Sequence, residues 1–121
     1  VSDIVLPWPP AALSGHNSGS WRKRSGLVAA HRTWARMATL AAKPAVPEVG
    51  DIRLIVAFYP PNRRGDRLNY SNRAKPYFDG IADALKINDR RFVPSYVYGE
   101  PERGGRVVIS VEPPIAPVPN L

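Results

Sequence analysis

Asp66, Asp79, Asp83 and Asp89 are four of the chain's ten acidic residues, and they fall in one of its most basic stretches. Around them stand Arg63, Arg64, Arg67, Arg73 and Lys75. Carboxylates set among cations suit a place where divalent metal and phosphodiester meet. Carboxylate and phosphate oxygens are the donors Mg²⁺ prefers, and arginine and lysine hold the polyanion. Asp66 and Asp89 flank a predicted helix, so a strand–loop–helix–turn–strand unit can return both to one edge of a sheet. Together they are the candidate metal ligands, with Asp79 as a third. The bound ion would lower the pKa of a water and neutralise the scissile phosphate. Lys75 is the candidate catalytic cation for the transition state or the leaving oxygen.

The same residues have a plainer reading. Asp66 would cap a helix and Asp89 would close a turn, while Lys75, Asp79 and Asp83 at four-residue spacing would form a charge ladder on one helix face. A second basic group, Arg22, Lys23, Arg24, Arg32 and Arg36, has no acidic residue among it and has Trp21 and Trp34 interleaved. With Asn69, Arg63, Arg64, Arg67 and Arg73 it makes a candidate nucleic-acid surface. Trp34 is expected in the core. His16, in a Gly/Ser loop, is expected to be neither base nor phosphate contact, and His31 is expected to be structural.

These residues need a scaffold. Ile4-Val5-Leu6 predicts a short strand, stopped by the prolines that follow. Residues 11–26 predict a loop. Leu27 to Ala42 predicts a helix, with Leu27, Ala30, Trp34, Met37 and Ala41 on its apolar face and Ser25 as its cap. Asp51 to Tyr59 alternates, with Ile52, Leu54, Val56 and Phe58 on one side and Ile55 and Ala57 on the other, as in a strand covered on both faces. A second helix is expected from Asn69 or Ser71 to Leu85, started or kinked at Pro76. Phe92–Tyr98 and Arg106–Val111 predict two further strands, read as a hairpin. Pro94 marks the first of them as an edge. The sum is an α+β fold, one mixed sheet of about four strands with two helices. It fills a single domain over residues 1–112, with a proline-rich extended tail over 113–121.

At 121 residues the chain supports one core. Its net charge of +7 favours a polyanionic partner. Without cysteine there is no disulfide, thiolate nucleophile or Cys-based zinc site. No apolar run is long enough to span a membrane, and no basic amphipathic helix suits a membrane surface. Phosphate-cradling glycine loops and Ser/His/Asp sets are also missing.

Taken in order, the segments resemble the RusA-like crossover junction endodeoxyribonucleases. Leu6-Pro7-Trp8-Pro9-Pro10 is similar to that family's opening. The centre is similar to its Asp-x-Asp-Asn, then Lys, then Asp-Gly-(apolar)-x-Asp-Ala, then an acidic pair before a strand. Asp66 takes the first Asp, Asn69 the Asn and Lys75 the Lys. Asp79-Gly80-Ile81-Ala82-Asp83-Ala84 takes the Asp-Gly segment, and Asp89 the second acid of the pair. Two positions depart from the pattern: Leu68 stands at the second Asp, and Asn88 at the first of the acidic pair. A second gapping places Asn69 and Ser71 at the two Asp positions and keeps Lys75 but loses both carboxylates, so the first alignment is preferred.

The resemblance runs from about Val5 to Val111. It implies a homodimer that binds four-way DNA junctions and nicks two strands symmetrically by Mg²⁺-dependent hydrolysis, with Mn²⁺ able to substitute. It implies Asp66 and Asp89 as metal ligands, Lys75 as catalytic cation, and no small-molecule cofactor. The expected setting is recombination and repair in a bacterial cytoplasm, from a phage or prophage gene. The alternative is a non-catalytic DNA-binding protein that keeps the fold with a weakened metal site.

Overall fold

A computed structural model describes residues 3–13 and 21–112, the side chains of residues 21–23 excepted. The chain runs β1 (Ile4–Pro7), α1 (Trp21–Ala42), β2 (Ile52–Tyr59), α2 (Tyr70–Arg73), α3 (Lys75–Leu85), β3 (Phe92–Tyr98) and β4 (Arg106–Val111), with short 3₁₀ turns at Ala11–Leu13, Arg67–Asn69 and Asp89–Arg91. His16 and the 113–121 tail lie outside the described residues.

The four strands form one mixed sheet in the order β1-β4-β2-β3. β4 runs antiparallel to both β1 and β2, while β3 runs parallel to β2. The expected β3–β4 hairpin is therefore incorrect. Turn-like residues join the two strands, but β2 lies between them. A parallel β2–β3 pair needs a crossover, which α2 and α3 supply. Pro94 does sit on an edge strand, where a missing N–H is tolerated.

The helices cover one face of this sheet. Ile4, Leu6, Ile52, Leu54, Val56, Phe58, Val107 and Ile109 point into the core against Ala35, Ala74, Tyr77 and Ile81. The opposite face is open: Val5 and Val97 are half exposed, and Ile55 and Ala57 are only partly buried. The expectation that β2 is covered on both sides is corrected accordingly.

Helix α1 starts at Trp21, earlier than the expected Leu27, and Ser25 lies inside it rather than capping it. Its buried line is His31, Ala35 and Thr39, whereas Trp34, Met37 and Leu40 are about half exposed. The expected apolar face is thus wrong, and Trp34 is not a core residue. Small and polar residues are buried instead because α1 packs closely on α3. A Cβ at Gly80 would collide with the Arg32 carbonyl and the Ala35 methyl, so large side chains on this line would force the helices apart. Polar groups buried here are satisfied. Thr39 Oγ1 donates to the Ala35 carbonyl (2.7 Å). The Tyr77 hydroxyl donates to the Pro7 carbonyl (2.6 Å) and lies 2.8 Å from His31 Nδ1. Because the hydroxyl's one proton goes to Pro7, His31 must supply the other from Nδ1. His31 is structural, as expected.

The second helix is two. After one turn, α2 ends at Ala74, and α3 restarts with Pro76 in its first turn. There a missing N–H leaves no broken bond. α3 closes on Lys86 in the left-handed conformation (φ 56°).

Candidate active site

Lys75 opens α3, and Asp79 follows one turn later on the same face. The Lys75 ammonium donates to Asp79 Oδ1 at 2.9 Å and to Asp89 Oδ2 at 2.6 Å. Asp89 comes from a different element, the 3₁₀ turn that leads into β3. Asn88 caps that turn, its side-chain oxygen accepting from the Arg90 N–H at 2.9 Å. Asn88 is therefore engaged as a cap and fixes the approach of Asp89. The Lys75 ammonium holds the Asp89 carboxyl below the usual carboxylate range. In return Asp89, and then Asp79, raise Lys75 above the usual lysine value. Lys75 and Asp89 are both charged near neutral pH. The group is partly open to solvent, with Lys75 63% exposed and Asp89 35%. Such a pairing adds little stability, and its Lys75–Asp79 half is the four-residue helix pair of the plainer reading.

The cluster borders a cavity of about 450 Å³ lined by Ser71, Asn72, Lys75, Phe78, Asp89, Phe92, Pro94 and Tyr96. One wall is polar and charged and the other aromatic. The β3 side chains Phe92, Pro94 and Tyr96 alternate onto the helix-facing side of the sheet. α2 and α3 supply the opposite wall.

Asp66 lies elsewhere. It caps the Arg67–Asn69 turn, accepting from the Leu68 N–H (2.9 Å) and from Asn69 Nδ2 (3.4 Å). It lines a second cavity of about 410 Å³, with Asn62, Arg63, Arg67, Tyr70 and Gly99. The plainer reading of Asp66 describes its contacts. Among the described residues, no three acidic or histidine side chains converge on one point. The pair brought together is Asp79 and Asp89. Leu68, at the position expected for an acid, is 81% exposed. Ser71 and Asn72 share the cavity with Lys75 and Asp89.

The basic residues divide. Arg32 forms a two-pronged bond to Asp83 (2.7 and 2.9 Å), and the guanidinium lowers the Asp83 pKa. Asp83 thus clamps α1 to α3 and is not part of a solvated ladder. Arg63 reaches Glu100 at 2.6 Å. Arg36 is exposed, as are Arg64 and Arg67, and Arg24 is half-buried. The Arg73 guanidinium lies 5.5 Å from the Tyr70 ring centroid, and its Nε is buried with no acceptor among the described residues. Arg22 and Lys23 begin α1, but their side chains lie outside the described residues. The cavity residues Asn72, Phe78, Phe92 and Tyr96 were not expected in a site. The alternation Phe92-x-Pro94-x-Tyr96 was the signal that could have found the aromatic wall.

The donor chemistry of the Asp79–Asp89 pair fits Mg²⁺ or Mn²⁺. Mg²⁺ commonly takes one or two protein carboxylates and completes its shell with water and substrate phosphate. Asp66 is not part of that pair.

No model of a known protein family matches the chain. An uncharacterized protein of Xylella fastidiosa (strain Temecula1) is 39% identical over 116 residues, spanning 92% of this chain and 76% of that protein. The chain belongs to one family with that protein.

Proposed function

We propose, for this chain and the family it shares with the Xylella fastidiosa protein, a divalent-metal-dependent endonuclease that acts on four-way DNA junctions as a homodimer. The observation that carries this reading is the Lys75 ammonium shared by Asp79 and Asp89 at the mouth of a half-aromatic cavity, in a chain of net charge +7. Asp79 and Asp89 would hold the ion, which drops Asp66 from the set of Asp66, Asp89 and Asp79 read from sequence. A bound Mg²⁺ supplies an acidified water and charge neutralisation at the phosphate. Lys75 turns from its carboxylates toward the scissile phosphate and offsets the charge that grows on its oxygens. Ser71 and Asn72 offer neutral hydrogen bonds to the same phosphate or its sugar. Exposed Arg36, Arg64 and Arg67 contact flanking phosphates and set register rather than sequence. Paired cuts across a near-two-fold junction call for one such site in each of two symmetry-related subunits.

The test is cleavage of a labelled synthetic junction at fixed salt with Mg²⁺ or Mn²⁺. Asp89→Asn is expected to slow cutting by roughly 10²-fold or more while binding is kept. Asp66→Asn, which preserves a capping side chain, is expected to cut at near wild-type rate. Equal loss in both variants would restore Asp66 to the site.

A second reading, a DNA-binding protein that does not cut, is favoured by the placement of Asp66 outside the cavity and by the neutral Asn69 and Ser71. Junction binding without cleavage at any metal concentration would establish it.

A further inference from the structure

The inner face of β3 is lined with rings that the helices leave uncovered. In parallel register with β2, Tyr96 pairs with Val56 and Tyr98 with Phe58, so both rings share the side of the buried Phe58. Val56 and Phe58 are fully buried, but Tyr96 and Tyr98 are 36% and 39% exposed. Both are stacked against Phe58, with centroids 5.9 and 6.0 Å away and planes 25° and 16° apart. Two partly exposed rings thus lie near parallel to the buried Phe58 ring. Phe92 and Pro94 extend the row into the cavity that holds Lys75 and Asp89. At the other end Tyr98 comes within 6.3 Å of Tyr70, which lines the cavity holding Arg63 and Arg67.

This edge strand has seven residues, so it spans roughly 20 Å, and alternate side chains stand about 6.6–7 Å apart. That is about twice the ~3.4 Å rise per nucleotide along the axis of a stacked duplex strand. The row therefore matches a stretched, unstacked strand better than a stacked double helix. Its cations sit at the ends, Lys75 at one and Arg67 and Arg73 at the other. Arg73 lies beside Tyr70, its buried Nε lacking an acceptor among the described residues.

We propose that the inner face of β3 is a track for an unpaired DNA strand, whose bases stack on Tyr96 and Tyr98 while its phosphates meet Lys75 at one end and Arg67 and Arg73 at the other. The inference rests on the reading of the neighbouring cluster as a nuclease site. It gives that site a substrate class: a strand that has left its partner at a branch point and is led past Lys75.

The experiment is fluorescence anisotropy with a labelled oligothymidylate of about 12 nucleotides, within the span such surfaces cover. It is run in Ca²⁺ without Mg²⁺ or Mn²⁺ at one salt concentration, against a duplex of equal length. Tyr96→Ala and Tyr98→Ala are expected to weaken oligothymidylate binding roughly tenfold or more, with duplex binding unchanged. Tyr96→Phe is expected to keep it. Tyr96→Leu, which retains apolar packing on Phe58, is expected to lose it and separates stacking from folding. Oligothymidylate affinity unchanged in the Ala and Leu variants, an equal loss toward duplex, or no wild-type binding would each overturn the track. Metal-dependent cutting lost in Asp89→Asn but unaltered by a failed track would leave the nuclease reading standing. A working track with no cleavage would leave only the inference.

Discussion

His31 sits in the core with its Nδ1 proton given to the Tyr77 hydroxyl, 2.8 Å away. Burial lowers its pKa from the ordinary 6.5 and raises that of Tyr77, so both are neutral in the native protein. The unfolded chain takes up a proton on His31 near pH 6.5, while the folded chain resists until lower pH. Between those values the unfolded state binds more protons, and stability falls as pH falls. Thermal melting followed from pH 7.5 to pH 5 is expected to show this decline in the wild type and a shallower one in His31→Gln. At this scale the sequence was legible where a residue's role is local. His31 is structural, Pro76 starts a helix, and Asp66 has the contacts of a capping residue. It was not legible for Asp83, whose partner Arg32 lies 51 positions away.

The pairing of α1 with α3 shows why helix faces were harder to read than helices. The pattern Leu27, Ala30, Trp34, Met37, Ala41 has the right period, but the packed face is the line of His31, Ala35 and Thr39. Close approach at Gly80 selects small residues, and no pattern of large apolar residues reveals it. Gly80→Ala would place a methyl against the Arg32 carbonyl. Overpacking of this kind costs about 1–3 kcal/mol. Urea unfolding is the measurement, with a lower midpoint and unchanged slope expected. Strands fared better, since alternation along Ile52–Tyr59 and Arg106–Val111 gave their positions. The order of strands was not local information: β4 enters between β1 and β2, so sequence neighbours β3 and β4 never pair. Likewise, the acid pair needed the 3₁₀ turn after α3 to aim Asp89 back at Lys75.

Across the whole molecule, one sheet face carries the helices and the other stays open, with Val5 at 54% and Val97 at 49% exposure. Among the described residues no helix is long and apolar enough to cross a membrane. The proposed paired cutting needs two active sites, one in each of two symmetry-related subunits. Light scattering behind size exclusion is expected to give twice the 13.3 kDa chain mass. A mass of one chain at micromolar concentration would oppose symmetric cleavage by a preformed dimer. The mixture of cations and carboxylates over residues 63–89 was visible in the sequence as a candidate site. Which two carboxylates meet depended on the crossover, and that selected Asp79 with Asp89.

The most direct test of that selection is anomalous diffraction from crystals grown with Mn²⁺. A peak bridging the carboxylates of Asp79 and Asp89, with the Lys75 ammonium displaced from between them, is the expected result. Crystals at saturating Mn²⁺ that show the ion on Asp66, or that keep Lys75 bonded to both aspartates with no peak beside them, would contradict it.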